Sequence, residues 1–197
     1  MKPVKLGLVG CGVIGRIHAR ACQEINTVDL IAVADLNKEA AQRVAQEFQV
    51  PKVYYNAQQL IQDPEVEAVL LALPACFRTS LGLQVLKAGK HLLTEKPVAM
   101  NAQEVKKLLK AQGNLIAGCC SSRYRFLKSA QIATRIVAQG KLGKIRMVKA
   151  RALRAAGPAP TKMPPAWRLK RDLNGGGILV NWGCYDLDYL LGILGWQ

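Results

Sequence analysis

This sequence contains no run of about 20 apolar residues, the length a membrane-crossing helix requires. No leader precedes its first strand-like stretch either, since MKPVKLGLVGCG leads straight into glycines. Both absences point to a cytoplasmic protein with no membrane partner. No C-x-x-C pair occurs among the six cysteines, Cys11, Cys22, Cys76, Cys119, Cys120 and Cys184, and no histidine stands at ligand spacing from the adjacent Cys119 and Cys120. That pattern argues against a metal centre and for small, buried apolar side chains in a reducing compartment. Only two histidines are present, His18 and His91, and both read as structural. Aromatic residues make up 6% of the chain and form no base-stacking motif, and no zipper-type basic helix is present, so nucleic acid ranks last among partners. Acidic residues are missing between Glu104 and Asp172, within a chain of net charge +15. This basic stretch suits an anionic substrate, an acidic partner or a solvated face balanced elsewhere.

What is present is half hydrophobic over 197 residues, enough for one good core or for one domain plus part of a second. Short apolar runs that read as buried strands alternate with helical stretches. KLGLVG, DLIAVAD, KVYY, EAVLLALP, HLLTEKP and NLIAGCC are the strands. Between them lie GRIHARACQE, NKEAAQRVAQEFQ with Asn37 as N-cap, AQQLIQD, SLGLQVLKAGK closed by Gly89, and NAQEVKKLLKAQG closed by Gly113. The alternation predicts an α/β fold, a Rossmann-type doubly wound parallel sheet, over residues 1–122. From residue 123 the pattern changes. A helix that opens near Phe126 and ends at Gly140 precedes an alternating strand, KIRMVKARAL, and a long loop rich in Pro, Gly and basic residues; a helix then opens at Ile178. Residues 123–197 therefore read as the unfinished start of a second, α+β domain.

The stretch GLVGCGVIGRIHARA carries Gly10, Gly12 and Gly15 in G-x-G-x-x-G spacing, after a strand and opening a helix. Gly10 permits the tight turn, Gly12 lets backbone approach a pyrophosphate, and Gly15 lets helix and strand pack closely. The free N–H groups at the helix start, around Val13 and Ile14, suit phosphate. Asp35 ends the second strand, where a carboxylate would accept the ribose hydroxyls of NAD in preference to the 2′-phosphate of NADP; Lys38 is the one nearby feature that softens this. Ligands in such sheets lie beyond the C-terminal strand ends, which brings Pro74, Glu95 and Lys96 into the same region.

GLVGCGVIGRIHAR, AVAD, VLKAGKHLLTEKPVAMNAQE, GKLGKI and WRLKRDLNGGGILVNWGCYDLD together resemble the glucose-fructose oxidoreductase / inositol dehydrogenase (Gfo/Idh/MocA) family of NAD(P)-dependent oxidoreductases, over nearly the whole chain. The resemblance implies a Rossmann domain, a substrate domain with a large open sheet, homo-oligomers, and hydride transfer to or from a hydroxyl-bearing carbon of a sugar or cyclic polyol. It also implies that Lys96 polarises the substrate oxygen and that Trp167 and Arg168 lie near cofactor or substrate. The family's D-x-G-x-H-x-x-D helix pattern is filled here by Asn181, Gly183, Tyr185 and Asp188. The implied proton carrier is then Tyr185, with Asn181 on the same helix face able to orient an oxygen but not to take a proton. The usual T-P-N-x-x-H is replaced by LPACFR, with Ala75 and Arg78 at the Asn and His positions, so an altered nicotinamide-side pocket is expected. These departures leave open a non-catalytic dinucleotide-binding sensor or regulatory module. They also leave open a Tyr185 that only packs and a Trp167 that only anchors its loop.

Overall fold

The computed structural model describes residues 2–151, 153 and 165–195. Two compact units divide the chain, Met1–Cys120 and Ser121–Gln197.

The first unit is a six-stranded sheet in the order β3-β2-β1-β4-β5-β6, with every pairing parallel. Its strands are β1 (Val4–Val9), β2 (Val28–Ala34), β3 (Lys52–Tyr54), β4 (Ala68–Leu71), β5 (His91–Thr94) and β6 (Ala117–Cys119). The connecting helices are α1 (Val13–Gln23), α2 (Lys38–Phe48), α3 (Ala57–Gln62), α4 (Ala75–Lys87) and α5 (Ala102–Gln112). Alternate side chains of each strand go to opposite faces, so β4 splits its apolar residues. Val69 and Leu71 join a core with Leu60, Val85 and Leu108 from α3, α4 and α5. Leu70 joins one with Ala19, Val44 and Phe48 from α1 and α2. Burial on both faces explains why these strands read as continuous apolar runs. The order reverses between β1 and β4, and in doubly wound sheets the ligand crevice opens beyond the strand ends at that point.

Local chemistry sets the helix ends. The Asn37 side chain accepts from Ala40 N at 2.9 Å, and Asn101 does the same for Glu104 N at 3.0 Å. Gly89 follows α4 at φ 74° and Gly113 follows α5 at φ 53°, values glycine adopts without strain. One boundary differs from the sequence reading: α4 begins at Ala75 rather than Ser80, because no Gly or Pro interrupts the five residues after Pro74. The cysteines also differ. Only Cys11 is buried; Cys22, Cys76, Cys119, Cys120 and Cys184 are half-buried.

The second unit comprises a 3-10 helix (Ser122–Phe126), α6 (Lys128–Ala138), α7 (Ala166–Leu169), α8 (Arg171–Asn174) and α9 (Ile178–Leu194). The alternating stretch 144–153 was expected as a strand, yet its described residues form none. A strand needs a neighbour for its backbone groups, and no strand is described in this unit. The expected loop carries α7 and α8, and its residues 154–164 lie outside the described ones. Among the described residues, no helix is long and apolar enough to cross a membrane.

Replacing Asn37 with Ala removes the α2 cap and is predicted to lower stability by about 1 kcal/mol, read as a shift of the urea midpoint at unchanged slope.

Candidate functional site

Beyond β1 the chain makes its glycine turn. Gly10 sits at φ 99°, and a Cβ there would stand 2.5 Å from the Ala72 carbonyl oxygen that follows β4. A Cβ on Gly15 would stand 1.8 Å from the Gly10 oxygen. Two of the three glycines therefore let backbone touch backbone. Gly12 differs, because a Cβ there would meet nothing within 4 Å. It is the N-cap of α1, which has no side-chain cap and no acidic residue in its first turn. A helix start of this kind presents unshared N–H groups and a positive dipole end to an anion, and Val13 and Ile14 beside it are exposed. Open space over uncapped donors fits a dinucleotide pyrophosphate, with Gly12, Val13 and Ile14 as its cradle.

Asp35 braces this turn. One carboxylate oxygen accepts from Cys11 N at 2.7 Å and the other from Asn37 N at 2.8 Å. Each oxygen has a second lone pair, so the same carboxylate can also accept from ribose hydroxyls. The Cys11 thiol is pushed up to about 12 by burial and then by the Asp35 charge, which makes it inert. Lys38 lies over the Tyr55 ring, 5.3 Å from its centroid.

The other wall is the turn after β5. Burial alone would raise the Glu95 carboxyl. Hydrogen bonds from His18 and from Lys96 N, with the nearby Arg78 charge, outweigh burial and hold it below the usual range. Its Oε1 accepts from His18 Nε2 at 2.8 Å and its Oε2 from Lys96 N at 3.0 Å. His18, which the sequence gives no local partner, meets a carboxylate from the distant β5 end. Glu95, buried beneath the turn, acts as a brace. The Lys96–Pro97 bond is cis. Pro74 precedes α4 as its N-cap.

His18, Glu95 and Cys120 place ligand-type atoms within 4.8 Å of one another. Ligands of a tetrahedral zinc stand roughly 3.3 Å apart, from bonds near 2.0–2.1 Å. The 2.8 Å His18–Glu95 bond would have to open to admit the ion. The Cys120 thiol is pushed up to about 12 by burial and then by the Glu95 charge, and the buried Arg78 cation is close by. His18 and Glu95 are hydrogen-bonded to each other, with the Cys120 thiol beside them.

Asn181 and Tyr185 belong to the second unit, four apart on α9, together with Trp167 and Arg168 on α7. Tyr185 is buried, and the Arg123 guanidinium carbon lies 4.1 Å from its ring centroid. Trp182 meets the Tyr185 ring edge-on at 5.9 Å, and Tyr124 lies at 5.5 Å. The Asp188 carboxylate takes two hydrogen bonds from Arg125, at 2.8 and 3.0 Å. Trp167 is half-buried and Arg168 exposed. Sequence reasoning missed Arg123. Its only signal was a basic residue set among aromatics in SSRYRF, and nothing local ties that segment to α9.

Comparison with known proteins gives two matches to family models. Residues 4–115 match the oxidoreductase family with NAD-binding Rossmann fold, and residues 130–196 match the GFO/IDH/MocA C-terminal domain. The chain is 28% identical to the myo-inositol 2-dehydrogenase of Thermotoga maritima, over 98% of its own length and 55% of that protein. It is 29% identical to the D-glucoside 3-dehydrogenase of Escherichia coli, over 98% of its length and 54% of that protein. Among solved structures, an oxidoreductase domain protein from Kribbella flavida superposes with a TM-score of 0.88 at 26% identity, covering 99% of this chain and 55% of that one. The chain thus spans about half the length of these relatives.

The glycines make separable predictions. Gly15→Ala should destabilise the protein by about 3 kcal/mol, since backbone cannot yield to the new methyl. Gly12→Ala should cost about 1 kcal/mol or less yet weaken NAD binding at least tenfold. Thermal unfolding and NAD titration of both variants check this contrast.

Proposed function

We infer, since this chain belongs to the Gfo/Idh/MocA family of oxidoreductases, that the protein moves a hydride between a nicotinamide dinucleotide and a hydroxyl-bearing carbon of a sugar or cyclic polyol. The observation that carries this reading is the open, uncapped start of α1 at Gly12, braced by Asp35. Relatives named for inositol and glucoside oxidation support the substrate class. Bound there, the dinucleotide supplies the hydride chemistry at its nicotinamide ring. The chain's residues bind, orient and move protons around it.

Gly10, Gly12, Val13, Ile14 and Gly15 hold the pyrophosphate, and Asp35 takes the ribose hydroxyls. Its negative charge favours NAD over NADP, and the Tyr55 ring occupied by Lys38 leaves that preference intact. Lys96 binds and polarises the substrate oxygen, with Pro74 and Glu95 shaping the strand-end wall. Tyr185 takes the hydroxyl proton as the hydride leaves, or returns it in the reverse direction. Asn181 orients an oxygen, and Trp167 and Arg168 lie near cofactor or substrate. Arg123, over the face of Tyr185, fixes that ring by cation–π attraction. Residues 1–122 form the dinucleotide-binding domain, and residues 123–197 begin the substrate domain. The protein is cytoplasmic and homo-oligomeric on this reading. The burial of Tyr185 within its own unit favours the rival reading, a dinucleotide-binding sensor without turnover.

Steady-state kinetics of the full-length protein with a panel of polyols and sugars separate the two. Lys96→Met should abolish turnover while NAD(H) affinity stays within about threefold. Tyr185→Phe should lower turnover by ~10²–10⁴, the worth of a positioned acid–base group. Absence of turnover with every substrate supports the sensor. Near-normal Tyr185→Phe removes Tyr185 from the proton step, and tighter NADP(H) than NAD(H) overturns the role of Asp35.

A further inference from the structure

Arg78 stands where the family pattern has a histidine, and it is buried in the first turn of α4. Its Nε donates to the Leu73 carbonyl at 2.6 Å, at the end of β4. Its Nη1 donates to the Glu95 carbonyl at 2.8 Å and also to the Pro97 carbonyl. The two latter acceptors are the residues on either side of Lys96. From the opposite side, the Lys96 N–H is held by the Glu95 carboxylate, which His18 on α1 holds in turn. Burial lowers the Arg78 pKa, and the Glu95 charge works against that effect.

We propose that Arg78 is the positioning residue for Lys96: one guanidinium clamps the carbonyls flanking Lys96 to the end of β4 and so fixes where the lysine side chain leaves the sheet. The fork geometry is what makes this possible. A guanidinium has five N–H donors in one rigid plane, whereas a neutral imidazole has one donor and an ammonium has no fixed plane. A guanidinium therefore ties β4, α4 and the turn after β5 together in one fixed plane. The altered pocket expected from the LPACFR departure is then a re-braced lysine turn, with Nε and Nη1 of Arg78 bonded to backbone. Arg78 acts through Lys96 and is not itself a catalytic residue.

The proposal rests on the reading of Lys96 as the substrate-oxygen residue, so its test has an arm that needs no turnover. Arg78→Met removes the donors at similar length, and Arg78→Lys keeps the charge without the fork. In the full chain, hydrogen exchange of the peptide spanning 94–100 should speed up at least tenfold in both variants, with protection in β1 and β2 unchanged. Acylation of Lys96 should change at least fivefold relative to the exposed Lys87, and NADH affinity should stay within about threefold. In the kinetic arm, Arg78→Met should lower kcat at least tenfold, and Arg78→Lys should not restore it. Unchanged exchange at 94–100, exchange that rises equally through the sheet, or a kcat of Arg78→Met within twofold of wild type would each overturn the proposal. If wild-type protein turns over no substrate, the functional reading fails, and the exchange and acylation results still decide whether Arg78 sets the lysine turn.

Discussion

The closest constraint in the molecule is the contact of backbone on backbone at the start of α1. The Gly10 carbonyl lies where a Cβ of Gly15 would stand, and the Ala72 carbonyl lies where a Cβ of Gly10 would stand. Three segments, the turn after β1, the first helical turn and the end of β4, converge with no side chain between them. Everything at the strand ends follows from that approach. It aims the α1 N–H groups outward, leaves Gly12 facing open space, and brings Cys11 N within reach of the Asp35 carboxylate. Asp35 thus braces the turn in the folded protein and still has lone pairs for a ribose.

A second constraint acts on the opposite wall. The turn at Glu95–Pro97 continues past β5, where Glu95 N still donates to the Leu71 carbonyl at 3.0 Å, and two long-range polar links hold it as well. His18 reaches it from α1, and Arg78 reaches it from α4. The glycine turn and the Lys96 turn are therefore mechanically joined within one unit. Glu95 stays ionised despite burial because both links favour its charge.

Features set by local chemistry were legible in the sequence. The parallel sheet was written in short apolar runs, the α2 start in Asn37, and the tight turn before α1 in the glycine spacing. Features set by distant partners were not. His18 and Glu95 are 77 residues apart, and nothing near His18 announces its carboxylate. Arg78 was visible only as a departure from a pattern; its three carbonyl partners depend on where two separate turns meet. Arg123 over Tyr185 is the same case in the second unit. The alternation at 144–153 shows the reverse failure, since period-two patterning states which face a strand would bury but cannot supply a neighbouring strand.

The central claim is that backbone N–H groups at the open start of α1 hold the pyrophosphate of NAD. A crystal structure of the chain soaked with NAD tests it most directly. The account predicts pyrophosphate oxygens within hydrogen-bond distance, about 2.7–3.2 Å, of the Val13 and Ile14 amides, with the adenosine ribose on Asp35. A dinucleotide bound elsewhere, or one whose phosphates leave the Gly12 turn empty, would contradict it.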